Sequence, residues 1–156
     1  ADFKIPRSGS SILITVGGKE LKKQILPLTR QLRQMGFNIY ATQHTAEAMI
    51  DAGEKDIQVL HKVREVEKKP NIADYIREGK IDLVINIPLV PASHDQEEVL
   101  RDEYVIRRLA VEYNVPILTN LELAWALLKI LREDEGSTLG VCSLNEYMEY
   151  LSWKKW

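Results

Sequence analysis

Short apolar runs that alternate with helical patterns constrain this chain more than any other feature. "ILITV" at 12 to 16, the run at 37 to 41, "IQVL" at 57 to 60, "IDLVINI" at 81 to 87 and "VPILT" at 115 to 119 are each followed by a segment with helical character. Apolar runs of this length read as strands covered on both faces. A strand, a helix and another strand in succession point to parallel pairing, because parallel neighbours need a crossover and the crossover lays a helix on the sheet. The expected fold class is therefore α/β: a three-layer sandwich around a five-stranded, mainly parallel sheet.

The intervening segments read as follows. Residues 19 to 35 place Leu21, Ile25, Leu28 and Leu32 at helical spacing before Gly36, and Pro27 predicts a kink or a restart of that helix. A second helix is expected over 45 to 52. Asn71 is placed to cap "IADYIREG", and Asn120 to cap "NLELAWALLKILRE". Between them a helix over about 99 to 113 turns Val105, Leu109 and Ala110 inward, after the irregular stretch "PLVPASHDQEE". One more helix is expected beyond Gly136, with Leu144, Tyr147, Met148 and Leu151 on one face.

A length of 156 residues with 45% hydrophobic residues suits one domain with a real core. Charged residues, 28% of the chain, nearly cancel to a formal net charge of -2, which argues against a generic nucleic-acid or membrane-surface binder. Cys142 is the single cysteine, so no intramolecular disulfide and no cysteine-based zinc site is expected, as suits a reducing, cytoplasmic setting. No apolar run reaches membrane-spanning length, and the N-terminal residues lack signal-peptide order. The chain opens at Ala1 rather than methionine, so either a processed protein or a domain from a longer polypeptide is expected.

In a parallel sheet, ligands gather outside the carboxyl ends of the strands. Those ends carry Gly17 and Gly18, then Thr42 to Thr45, then Asn86 and Pro88, then Thr119 and Asn120. A helix N-terminus at this rim favours an anion, and Thr42 and Thr45 add two hydroxyls. In isolation, T-x-x-T is more simply a helix cap, and a lysine is more simply a solvated surface residue. Lys22 early in the first helix and Lys62 after the third strand turn the same rim into a candidate phosphate or carboxylate cradle. Asn86, ending a buried strand, is a candidate to hold the rest of a ligand, or else to bond neighbouring loop backbone. "GGKELKK" lacks the spacing of a Walker loop, and His44, His61 and His94 have no metal-ligand spacing. His94-Asp95 would make an acid/base pair, but without a nucleophile elbow nearby.

"GFNIYATQHTAEAMIDAG", "EGKIDLVIN" and "DEYVIRRLAVEYNVPILTN" stand in the order and approximate spacing of the methylglyoxal-synthase-like domain. The chain most resembles the version at the C-terminus of the carbamoyl phosphate synthetase large subunit, over about residues 3 to 132, and "ADFKIPRSGS" is similar to the linker that enters it. The resemblance implies a linker over 1-10, a regulatory domain over 11-135 and a tail over 136-156. It implies an allosteric module that binds a small anionic effector, a nucleotide such as UMP or IMP, or N-acetylglutamate, through Lys22, Thr42, Thr45, Lys62 and Asn86. No catalytic residue, metal or cofactor is expected in the domain itself. The implied parent is an ATP- and magnesium-using ligase of pyrimidine and arginine biosynthesis, whose synthetase domains, glutaminase subunit and homo-oligomer would be the partners.

Two departures bear on the ligand. "VINIP" is nearer the animal "VINLP" than the threonine-bearing bacterial form, yet Leu89 and Glu103 stand where N-acetylglutamate-using members carry asparagines. The rival reading is a methylglyoxal synthase-like lyase acting on dihydroxyacetone phosphate, which would share the threonines. Against it, Gly17-Gly18 and Lys69 replace that enzyme's two acidic motifs, and a protonated lysine is no carboxylate base. A third reading, an oligomerisation module, rests on Trp153, Trp156 and the apolar face at 144 to 151.

Overall fold

The computed structural model describes residues 3–89 and 97–134. His94-Asp95, Cys142, Trp153, Trp156 and the helix expected after Gly136 lie outside them. Five strands and five helices alternate: β1 (Ser11–Val16), α1 (Lys19–Gln34), β2 (Asn38–Thr42), α2 (Gln43–Asp51), β3 (Ile57–Leu60), α3 (Ile72–Arg77), β4 (Leu83–Ile87), α4 (Glu97–Glu112), β5 (Ile117–Leu118) and α5 (Leu121–Asp134). The sheet order is β3-β2-β1-β4-β5 and every pairing is parallel. All strand carboxyl ends therefore share one edge, with Thr42, Asn86 and Thr119 along it, as expected. The order reverses between β1 and its neighbour β4, which is where a crevice opens in such sheets.

Alternation along β1 divides the core. Ile12, Ile14 and Val16 join residues of α1, α2 and α5 in one buried cluster, while Leu13 packs with α3 and α4 residues on the opposite face. Residues 3–10 lie against the first cluster through Phe3 and Ile5, and the Gly9 amide donates to the Gly36 carbonyl at 3.1 Å.

Boundaries moved where side chains or proline compete with the ladder. Pro27 lies inside one continuous α1, with no restart. β4 begins two residues later than expected, because Asp82 meets the start of β1 with its side chain as well as its amide: its carboxylate accepts from the Ser11 amide at 2.8 Å. β5 has only two residues, since Pro116 has no N–H and contributes its carbonyl alone, to Val84 at 2.9 Å. α2 starts at Gln43, two residues earlier than the pattern suggests, which moves Thr42 to the cap position and Thr45 into the first turn. In α4 the face turned to the sheet carries Glu103, Ile106, Leu109 and Ala110, with Val105 only partly buried.

Candidate functional site

β1 gives way to Gly17 and Gly18 before α1 begins at Lys19. The Gly17 amide donates to the Ile87 carbonyl at 3.1 Å, which draws the chain after β4 across the end of β1. A Cβ on Gly17 would stand 2.6 Å from the Leu89 Cβ and 2.7 Å from the Leu89 nitrogen, so only glycine fits there. Gly18 has φ +78°, in the left-handed region, and offers the α1 amides no capping side chain. The positive end of a 16-residue helix thus faces the crevice uncapped by a side chain. Lys22 stands one turn in, its amide bonded to the Gly18 carbonyl at 3.2 Å.

The threonines do not behave as caps. Thr42 holds the cap position of α2 in extended conformation, yet its hydroxyl makes no capping bond and donates to Thr45 Oγ1 at 3.2 Å. Thr45, 2% exposed, reaches across to β1, where the Val16 amide donates to its oxygen at 3.4 Å and its hydroxyl approaches the Val16 carbonyl at 3.5 Å. Contacts that long are weak, so this hydroxyl pair can turn to a stronger acceptor at small cost.

Lys62 follows β3 in a loop held by Asn71. The Asn71 amide group donates to the Lys62 and Glu65 carbonyls at 2.7 and 3.1 Å, and its oxygen accepts from the Ala73 amide at 2.9 Å, the expected cap of α3. One buried side chain therefore fixes both the loop that carries Lys62 and the helix that follows. The Lys62 amide is also bound by the Glu65 carboxylate at 3.0 Å, and the Lys68 ammonium beside that carboxylate holds it below its usual range, with the Lys62 amide adding to the effect.

These elements enclose a cavity of about 210 Å³. Lys22, Thr42, Thr45 and Lys62 all line it, with Gly17 and Gly18 at one wall and Val63, Ile72, Leu89 and Ile106 as apolar walls. Among the described residues neither lysine's ammonium is in a salt bridge. His44 is at the rim, largely exposed, with Nδ1 3.4 Å from Glu47. Asn86 is not in the lining. It is fully buried in β4, where its amide group donates to Thr15 Oγ1 at 2.6 Å, and Thr15 in turn lines the cavity. Lys69 is not in the lining and pairs with Asp74.

α4 supplies two residues that the reading of the rim did not include. Asp102 lines the cavity and faces Arg64 at 3.4 Å. Glu103 lines it too, only 5% exposed, with Oε2 buried and unpartnered among the described residues. Burial pushes its carboxyl up to about 7, with Arg107 opposing and Asp102 adding to the rise. The signal was in the sequence: Glu103 is in helical phase with Ile106 and Ala110, so a carboxylate falls on a face meant for the core.

The family model described as "MGS-like domain" matches residues 24–119. This chain belongs to the MGS-like domain family. Over 141 residues this MGS-like domain chain is 36% identical to the carbamoyl phosphate synthase large chain, C-terminal section, of Methanopyrus kandleri, covering 89% of this chain and 24% of the relative. Over 151 residues it is 34% identical to the same section from Aquifex aeolicus, covering 94% of this chain and 26% of that one. It thus spans about a quarter of the length of these relatives. The crystal structure of ForH, 21% identical, covers 82% of this chain and 81% of its own with a TM-score of 0.57, a likeness of fold.

Proposed function

We propose that this MGS-like domain is the allosteric regulatory part of a carbamoyl phosphate synthetase, taking a small anionic effector into the cavity and modulating ATP-dependent carbamoyl phosphate synthesis by the rest of the parent. The observation that carries the reading is the convergence of Lys22, Lys62, Thr42 and Thr45 on one cavity beside the open N-terminus of α1. Two ammonium groups, two weakly engaged hydroxyls and helix-end amides together suit a compact anion such as a phosphate. Asn86 supports the site from beneath by holding Thr15. A phosphorylated nucleotide ranks above N-acetylglutamate, since Leu89 and Glu103 interrupt the asparagines of the acylamino-acid pattern and the paired lysines suit a dianion. The domain needs no cofactor of its own, and its partners are the synthetase domains of the parent, with the glutaminase subunit and oligomer contacts supplied through it in the cytoplasm.

Calorimetric titration with UMP, IMP, N-acetylglutamate and inorganic phosphate tests the reading. A nucleotide is expected to bind with phosphate competing, and failure of all four to bind would overturn it.

A second reading, a methylglyoxal synthase-like lyase, is favoured by one observation: Glu103 has the buried carboxyl and near-neutral pKa of a general base, in a cavity also lined by Lys22 and Lys62. Gly17-Gly18 and Lys69 still stand in place of that enzyme's acidic motifs. Incubation with dihydroxyacetone phosphate is expected to give no methylglyoxal above a blank. Turnover lost in Glu103→Gln would establish the lyase instead.

A further inference from the structure

Glu103 is one of two carboxylates, with the Arg64-facing Asp102, in a cavity that otherwise presents lysines, hydroxyls and helix-end amides. It projects from α4 into the lining shared with Lys22 of α1, Thr42, His44 and Thr45 of β2 and α2, and Lys62 of the loop after β3. Its own helix brings Asp102, which faces Arg64, and Arg107; β1 brings Thr15, and β4 brings the buried Asn86. An ionised carboxylate here would repel an entering anion at close range, and its buried Oε2 has no donor among the described residues to stabilise the charge. A neutral carboxyl removes the repulsion and becomes a hydrogen-bond donor.

We propose that Glu103 is a further binding residue of this cavity, one that admits the anion only as the neutral acid, so that anion binding takes up a proton from solvent wherever Glu103 is ionised beforehand. The inference rests on the anion-binding reading above and deepens it. Chemically the balance is simple: the solvent proton bonds to a Glu103 carboxylate oxygen as the anion enters, and it is released when the anion leaves. A carboxyl that titrates near neutrality makes this coupling felt around pH 7. Below about pH 6 the carboxyl is already neutral and binding takes up almost no proton; near pH 8 the uptake approaches one, and affinity falls by up to about tenfold per pH unit. His44 is the histidine of the lining, and its exposure at the rim sets it apart from the buried Glu103.

Sulfate is the probe, because it stays fully charged from pH 6 to 8 whereas phosphate does not. Titration calorimetry of the chain in buffers of different ionisation enthalpy counts the protons taken up. Wild type and His44→Gln are expected to show uptake rising from near zero at pH 6 toward one at pH 8. Glu103→Gln, whose amide is neutral at every pH, should bind sulfate with no such rise. Sulfate binding by wild type without proton uptake, or uptake that persists unchanged in Glu103→Gln, would overturn the role of Glu103 while leaving the anion site standing. Failure of wild type to bind sulfate at any of these pH values would overturn the anion site itself. An infrared difference spectrum of wild type at pH 8 needs no variant: sulfate should produce a protonated-carboxyl band and bleach a carboxylate band, and its absence under saturating sulfate would sink the proposal.

Discussion

On one face of the sheet β1 buries Ile12, Ile14 and Val16 among Leu28, Leu32, Met49, Leu127 and other apolar residues of α1, α2 and α5; on the other it buries Leu13 and then, at the carboxyl end, the polar Thr15. Beside Thr15 on that second face lie Asn86, across the register pair Thr15↔Asn86, and Glu103 of α4. The first face is mostly apolar, with Thr29 and Thr45 as buried hydroxyls of α1 and α2. The second is apolar only up to the level of the cavity, where buried polar groups replace it. Polar groups removed from water are costly unless partnered, so Glu103, whose Oε2 has no partner among the described residues, costs the fold stability.

The largest effect should come from the apolar face. Leu28 is wholly buried there, and Leu28→Ala should cost about 3 to 5 kcal/mol of unfolding free energy through lost burial and a residual cavity. Denaturant unfolding measures the loss, while effector affinity of the folded fraction should stay within about twofold. A much larger loss of affinity would mean that the two faces are coupled.

On the polar face the sign reverses. The folded Glu103 pKa, about 7, exceeds the ordinary glutamate value of 4.5, so the folded chain holds a proton that the unfolded chain has released between those values. Stability from this group is complete below about pH 4.5 and declines as pH rises through about 7. Glu103→Gln should remove that decline and gain up to about 3 kcal/mol over wild type at pH 8, with no gain at pH 4.5. Thermal unfolding across pH 4.5 to 8 without effector provides the comparison, and a pH-independent difference would show that Glu103 is not the titrating group.

Thr45→Ala tests binding rather than folding. Loss of one hydroxyl from the anion should weaken effector affinity ten- to a hundredfold, about 1.5 to 3 kcal/mol. Because the Val16 contacts are long and Thr45 caps nothing, its cost to stability should be smaller than that. Equal binding by wild type and Thr45→Ala would assign the threonine to tying α2 to β1 alone. Asn120 provides the smallest and sharpest contrast, since it lies on the same sheet edge but outside the cavity lining. Its side-chain oxygen accepts from the Leu123 amide at 2.8 Å, so Asn120→Ala should cost about 1 kcal/mol of stability and leave effector affinity unchanged.

Periodicity was enough to place all five strands, their parallel order of ends, and the rim on which Thr42, Thr45, Lys22 and Lys62 meet, because strand direction and crossover geometry follow from local pattern. Helix starts were less legible. The start of α2 at Gln43 puts Thr42 at the cap position and Thr45 in the first turn, where their hydroxyls bond each other and Val16 instead of capping α2. Asn86 had the position of a rim residue, but strand register turned it under Thr15 and away from the lining.

By itself, then, the sequence determined the α/β layering, the edge that carries the strand carboxyl ends and the lysines and hydroxyls found along it, since these depend on chain-local periodicity and on which groups end each strand. Only the tertiary structure decided that the Gly17-Gly18 turn must be bare to let Leu89 cross it, that Asn71 anchors the loop bearing Lys62, and that Glu103 shares a cavity with two lysines. Those facts join residues from the turn after β1, α1, the loop after β3, α4 and the chain after β4. A buried carboxyl's charge depends on what surrounds it in space, and no local pattern carries that information.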